Sequence, residues 1–252
     1  MKLKNNIRIL STFTKDVLFD EAGSLVCTQQ GGPAFYVTRV FKRESLPFTL
    51  TTGLVMGVEI LLTKKGELGR VPMRPKRKSA LFSNLKEKIL VISTVADEFD
   101  LKGLSDFKGQ VFLDIQGFVR DRKGFGKKKI WRPNVNVFEN IFCLKGTKQE
   151  MENIPVKFLQ QQKKKIVLIT NGRRGCKVFA FGKRYIVKPK KITNSISAIG
   201  AGDTFFAYFV SAFSNGRDVV SSVKHAVAKT SEFLSFQTLH HIRLFRKEVG
   251  CD

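Results

Sequence analysis

Ile199-Gly200-Ala201-Gly202-Asp203-Thr204 runs without a break into the apolar segment Phe205 to Phe213. A turn of small residues opens directly into a helix whose first turn carries an acid. The first N–H groups of any helix lack an intrahelical partner and carry partial positive charge. Glycines allow that backbone to approach an anion closely, which suits a phosphate or a developing negative charge. Gly200, Ala201 and Gly202 are therefore the candidate anion hole, and Asp203 is the candidate base. It is placed to take a proton from a hydroxyl while the N–H groups hold phosphoryl oxygens. Phe205, Phe206, Ala207, Tyr208, Phe209 and Val210 put apolar side chains all round the helix, which predicts burial. Asn215-Gly216 predicts its end. Taken alone, the stretch also reads as a glycine turn followed by an ordinary helix-capping Asp.

Working outward, the chain alternates strands with helices. Ile89 to Ser93, Val111 to Ile115, Ile141 to Leu144 and Lys165 to Thr170 are short apolar runs of the buried-strand type. Ile7 to Leu10 and Phe48 to Thr52 add two strands, and Val178 to Phe181 with Tyr185 to Val187 form a hairpin through Gly182-Lys183. Helices are predicted from Pro33, over Asn134 to Asn140, from Glu150 to Gln161, and from Asp218 to Phe236. This rhythm predicts a doubly wound α/β domain with its ligands at the carboxyl ends of the strands. The length of 252 residues, 42% of them hydrophobic, fits one domain spanning residues 1–252. There are no internal repeats and no Gly/Ser linker.

Charge is the unusual feature of the composition. Lys and Arg number 45 against 21 Asp and Glu, a net charge of +24. Such a surface attracts polyanions. Arg70 to Lys78, Lys127 to Arg132 and Gln160 to Lys165 are the dense stretches, and they keep nucleic acid open as a partner. The favoured reading is a solvated lysine-rich surface, since the charges are spread along the chain. No run approaches the roughly 20 apolar residues of a membrane span, and no long apolar segment follows Met1 to Asn6. Cys27, Cys143, Cys176 and Cys251 lack CxxC spacing, which reads as reduced thiols in the cytoplasm. His225 and the pair His240-His241 have no companion ligands in sequence, so no metal site is assigned to them.

Gly200 to Asp203 and its Phe-rich helix resemble the signature of the PfkB/ribokinase family of carbohydrate kinases. Further stretches follow in the family's order. Asp114-Ile115-Gln116-Gly117-Phe118-Val119-Arg120 is similar to the D-x-Q-G-F-x-R version of inositol-kinase-like branches. Lys145 to Glu150 resembles K-x-N-x-x-E, with Thr147 in place of the Asn. Thr170-Asn171-Gly172-Arg173-Arg174-Gly175 is similar to the nucleotide loop T-x-G-x-x-G. Gly31-Gly32 before a helix resembles the N-terminal motif, with Tyr36 where the family holds a sugar-binding Asn.

The resemblance implies a ribokinase-like three-layer αβα sandwich and transfer of phosphate from ATP, with Mg²⁺, to a hydroxyl of a small sugar, polyol or nucleoside. It makes Asp203 the catalytic base and Thr170 to Gly175 the donor loop. Lys145 and Glu150 become the Mg²⁺ and phosphate environment, with no direct metal ligand. Asp16, Gly31, Gly32, Asp114 and Gln116 become acceptor-binding residues, and inositol leads the acceptors because of Asp114 to Arg120. Asp16 reads equally as an acid in a turn, and Glu150 as a first-turn acid of its own helix. Ser197 stands where relatives hold an Asp that supports a monovalent cation, so no potassium requirement carries over. Gly53 to Ile89 leaves room for one hairpin or helix, so the lid over the acceptor is expected to be reduced or absent. The rival reading is a PfkB-like protein turned basic binding or assembly module. Tyr36, Thr147, Ser197 and the charge favour it, and the intact Gly200 to Asp203 opposes it.

Overall fold

The computed structural model describes residues 6–64, 66–73, 75–80, 82–192 and 197–248, with side chains up to residue 237. Arg74 of the basic run, the side chains of His240 and His241, and Cys251 lie outside the described residues. The chain opens with β1 (Ile7–Ser11), β2 (Thr14–Phe19), β3 (Leu25–Gly31), α1 (Pro33–Arg43) and β4 (Phe48–Thr51). There follow β5 (Met56–Thr63), β6 (Gly66–Arg70), β7 (Lys78–Ser79), β8 (Ile89–Ser93), β9 (Phe99–Asp100) and β10 (Gln110–Asp114). Next come α2 (Gln116–Val119), α3 (Val135–Glu139), β11 (Ile141–Thr147), α4 (Lys148–Met151) and α5 (Val156–Gln162). The last elements are β12 (Ile166–Thr170), β13 (Cys176–Ala180), β14 (Lys183–Val187), α6 (Ala201–Ser214) and α7 (Val219–Glu248).

Eight strands form one sheet in the order β14-β13-β12-β11-β10-β8-β1-β4. From β4 to β12 all neighbours are parallel, and β13 and β14 close the far edge as an antiparallel hairpin. The apolar runs have a simple cause: side chains alternate across the sheet and both faces are covered. Ile89 and Val91 of β8 join a core with α1, α6 and α7, through Val37, Phe41, Phe206, Phe209 and Val223. Leu90 and Ile92 join the opposite core with Phe118, Phe138, Met151 and Ile154. Helices thus cover both faces, the expected doubly wound three-layer α/β arrangement. No helix among the described residues is long and apolar enough to cross a membrane.

Of the two alternatives for the lid, absence is excluded: β3-β2-β5-β6 form a separate four-stranded sheet. Gly53 to Ile89 does supply one principal hairpin, β5 and β6, but it pairs with a second hairpin made of β2 and β3. The inner face of this sheet carries Leu18, Val58 and Ile60, packed with Val71, Val95, Ala96 and Ile199. The helix expected from Glu150 to Gln161 is two helices, because Pro155 lacks an N–H and cannot continue α4, and serves instead as the N-cap of α5.

Candidate active site

Parallel strands bring their carboxyl ends to one edge of the sheet, and each ends here in polar side chains. Ser93 closes β8, Asp114 closes β10, Lys145 lies near the end of β11, and Thr170 closes β12. The four-stranded sheet faces this edge, and α6 starts beside it. Between them lies a cavity of about 340 Å³, lined by Asp16, Gly32, Gln116, Lys145, Glu150, Thr170, Gly200, Gly202 and Asp203 among others. Residues separated by up to 189 positions in sequence, Thr14 and Asp203, therefore share one site.

Gly200 adopts a left-handed conformation (φ 76°) and starts α6. A β-carbon there would overlap the ring of Tyr36, so the position suits glycine twice over. The N–H of Ala201 donates to the Ala198 carbonyl at 3.0 Å. That ties Ala201 into the turn itself and leaves the next N–H groups, of Gly202 and Asp203, as the open donors of the helix start. Asp203 is buried, and Ser93 Oγ donates to its Oδ1 at 3.3 Å. Burial pushes its pKa up to about 7, with Asp114 adding to the rise and Lys145, Arg120 and the Ser93 hydroxyl opposing it. A carboxylate poised at that value holds or releases a proton near neutral pH.

Lys145 Nζ meets Asp114 Oδ2 at 2.6 Å, with both side chains buried. The ammonium lies against Gly202, 3.1 Å from where a β-carbon on that residue would sit. Burial works to lower the Lys145 pKa, but Asp114, Asp203 and Glu150 together hold it above its ordinary value. A fixed positive charge therefore stands beside the open N–H groups. Asp114 also accepts from the Gln116 N–H at 3.1 Å, so it serves as the anchor of Lys145 and does not line the cavity, whereas Gln116 does.

Glu150 belongs to a capping box: its Oε2 accepts from the Thr147 N–H at 2.7 Å, and Thr147 Oγ1 accepts from the Glu150 N–H at 3.2 Å. Its other oxygen lies 3.8 Å from Lys128 Nζ. Thr147 thus orients the Glu150 carboxylate. Thr147→Ala is expected to lower stability by about 0.5–2 kcal/mol, measured by urea unfolding, because the first helical N–H groups lose their cap.

Asp16 lies on β2 of the small sheet, not in a turn, and is buried. Thr14 Oγ1 donates to it at 2.5 Å. Burial raises its pKa, against the pull of Thr14 and Arg120. Gly31 lies beside it, and a β-carbon there would overlap the Asp16 carboxylate. Of the loop Thr170 to Gly175, only Thr170 reaches the cavity. Gly172 to Arg174 form a 3-10 turn, and Asn171, Arg173 and Arg174 are exposed. Gly175 abuts the Val187 carbonyl, which ties this loop to the end of β14. A second cavity of about 690 Å³ begins there, between Tyr185 to Lys191 and the first turns of α7.

Sequence reading missed the part played by Tyr36, Ser93 and Lys128. In sequence Tyr36 stands out only as a replacement for Asn, and Ser93 only as the last residue of a buried strand.

The pfkB family carbohydrate kinase model matches residues 122–232, the stretch holding Lys145, Glu150, the Thr170 loop and Asp203. No curated protein matches the chain in sequence. Among solved structures, a pyrophosphate-dependent kinase in the ribokinase family, in complex with sulfate, superposes with a TM-score of 0.70. The two share 17% identity over 90% of this chain and 95% of that one. The ribokinase of Arabidopsis thaliana, with ribose and ATP, gives 0.66 at 15% identity, over 91% and 92% of the two chains. A nucleoside kinase from Methanocaldococcus jannaschii gives 0.65 at 16% identity, over 91% of each. The fold is that of the ribokinase-like kinases, and residues 122–232 carry the PfkB carbohydrate-kinase pattern.

Proposed function

We propose that the chain is a phosphotransferase that moves a phosphoryl group from a nucleotide to a hydroxyl of a small sugar or polyol, with an inositol-like acceptor first. The observation that carries this reading is Asp203: a buried carboxylate with a pKa of about 7, at a helix start whose open N–H groups lie beside Lys145. In this reading Asp203 takes the proton of the acceptor hydroxyl as its oxygen attacks phosphorus. The N–H groups of Gly202 and Asp203 and the Lys145 ammonium hold the phosphoryl oxygens as charge shifts onto them. Asp16, oriented by Thr14, and Gln116 hold the other hydroxyls of the acceptor, and the small sheet shields the reaction from water.

The residues present fit a nucleotide donor with Mg²⁺. The second cavity joins apolar walls from Val187, Val220, Val227 and Ala228 with Lys188, Lys190, Lys191 and Lys224, which suits a base and its phosphates. Among the described residues no cluster of three acidic, His or Cys side chains could cage a metal. Mg²⁺ usually binds through one or two carboxylates and the substrate phosphates, and Glu150 at the cavity wall is the carboxylate for that role. The ion would supply neutralising charge between donor phosphates.

The binding-module reading is weaker. Several cations of the basic stretches near the site are paired: Arg70 with Glu59, Arg77 and Lys129 with Asp97, and Lys128 with Glu150. The test is to incubate the protein with Mg²⁺ and either ATP or pyrophosphate, together with myo-inositol, ribose or a nucleoside, and to follow products by ³¹P NMR. ATP-dependent phosphorylation of a polyol or sugar is expected. Pyrophosphate serving in place of ATP would correct the donor, and no phosphorylated acceptor with either donor would overturn the kinase reading.

A further inference from the structure

The cations of this chain are spread along the sequence, but its acids are not. From Asn153 to Gly202 there are twelve Lys and Arg and no Asp or Glu, which is half of the net charge of +24. This segment builds the far edge of the main sheet, α5 and β12 to β14, with β14 as the edge strand. Near the cavity, Arg70, Arg77, Lys128 and Lys129 all meet carboxylates. Among the described residues no ion pair involves Lys163, Lys164, Lys177, Lys183 or Arg184.

These five cations share one surface. The Phe181 N–H donates to the Lys165 carbonyl at 2.8 Å and the Gly182 N–H to the Lys163 carbonyl at 3.3 Å, which seats the β13–β14 turn on the chain leaving α5. Phe179 pairs with Arg184 and Lys177 with Ile186, on the face opposite to Cys176, Val178 and Ala180, which enter the core with α6 and α7. Lys163 Nζ lies over the Phe179 ring, 4.9 Å from its centroid, which holds that ammonium on the same face. Phe181 and Gly182 are the central residues of the turn, both at positive φ (51° and 81°). That geometry favours Asn, Asp or Gly at the first position. A phenylalanine there is strained, and its ring is 63% exposed, so packing does not account for it.

We infer that this edge of the sheet is a binding surface for single-stranded nucleic acid: Lys163, Lys164, Lys177, Lys183 and Arg184 track the phosphates, and the Phe181 ring stacks on a base. None of these six residues lines either cavity, so the surface is independent of the kinase reading. Cations that follow a backbone beside an aromatic ring are the sequence-tolerant way of holding a single strand. A duplex offers phosphates but keeps its base faces stacked inside, so the exposed ring favours the single strand. Lysines that only protect a sheet edge from pairing would not require acids to be absent from the whole segment.

The test measures fluorescence anisotropy of a labelled, mixed-sequence single strand of RNA or DNA, its duplex and polyglutamate over a range of salt, with sedimentation on phosphatidylserine vesicles. For the single strand, log affinity is expected to fall against log salt with a slope of about −3.5, from five contacts at about 0.7 each. Lys164→Glu, Lys183→Glu and Arg184→Glu together should flatten that slope by about 2 units and weaken binding by about tenfold or more. Reversing the exposed Lys86, Lys102 and Lys108 to Glu changes the net charge equally and should leave the slope as it was. Phe181→Ala should weaken the single strand by about fivefold or more at an unchanged slope, the loss of one stacked base. If the triple variant fails to fold, Arg184→Glu and Phe181→Ala, both at exposed positions, decide the matter. An equal loss in the control reversal would mean attraction to net charge alone, and a larger loss on reversing Lys190 and Lys191 would move the strand to the second cavity. Polyglutamate or vesicles bound more tightly than the single strand, with no effect of Phe181→Ala, would make the surface a protein or membrane site. Each of these results overturns the assignment, as does the absence of single-strand binding at the lowest salt.

Discussion

Asp203→Asn is expected to lower phosphoryl transfer by about 10²–10⁴-fold while leaving donor binding close to wild type. The amide keeps the shape of the carboxylate and the helix start but cannot accept the acceptor's proton. Wild-type transfer should rise with pH through about 7, as Asp203 loses its proton, and level off above. Stability should run the other way. The folded pKa of Asp203 lies above its unfolded value, so the protonated form is favoured by folding. The contribution is complete below the ordinary carboxylate range and is lost as pH rises through about 7. Asp203→Asn, which never ionises, should therefore melt above wild type at pH 8, and the difference should shrink on going down to pH 4. Transfer by the variant within a factor of about 10 of wild type, or a melting difference that grows toward acid pH, would refute the assignment.

The main sheet was legible because its strands are buried on both faces. A strand such as Ile89 to Ser93 must be apolar at every position when Ile89 and Val91 face one core and Leu90 and Ile92 the other. The small sheet has one apolar face, and most of β3 is exposed, so the stretch from Thr14 to Gly31 carries no comparable run. Its pairing of β2 with β5 also crosses α1 and β4, a long-range contact that local pattern does not encode. The break between α4 and α5 is written in Pro155, which lacks the N–H that a continuing helix needs.

The site divides in the same way. Gly200 to Asp203 announces itself because a glycine turn, an acid and an apolar helix are contiguous. Ser93 and Asp203 are 110 positions apart, and nothing local to Ser93 distinguishes it from any strand-ending serine. Lys145 and Asp114 were each picked out by family pattern. Their division of labour, one at the cavity and the other behind it, depends on register: β10 and β11 place Asp114 directly beside Lys145. That register also makes the pair the most informative place to separate folding from chemistry.

Lys145→Met is expected to damage both. Removing the ammonium leaves the Asp114 carboxylate buried without its partner, a loss of about 3–5 kcal/mol. It also removes the charge beside Gly202, where a single oxyanion-stabilising donor is typically worth about 10²–10³-fold in rate. A second change distinguishes the two effects. Asp114→Leu in the Lys145→Met background removes the stranded charge, and apolar replacement of a buried ion pair is often neutral for stability. The double variant should regain most of the lost stability in urea unfolding while transfer stays at the level of Lys145→Met. Asp114→Leu alone should be impaired in a third way, with Lys145 retained but no longer anchored, so both stability and transfer should fall. Recovery of transfer along with stability in the double variant would show that Lys145 serves only the fold. Loss of transfer that persists in a fully stable double variant places its ammonium in the phosphoryl step.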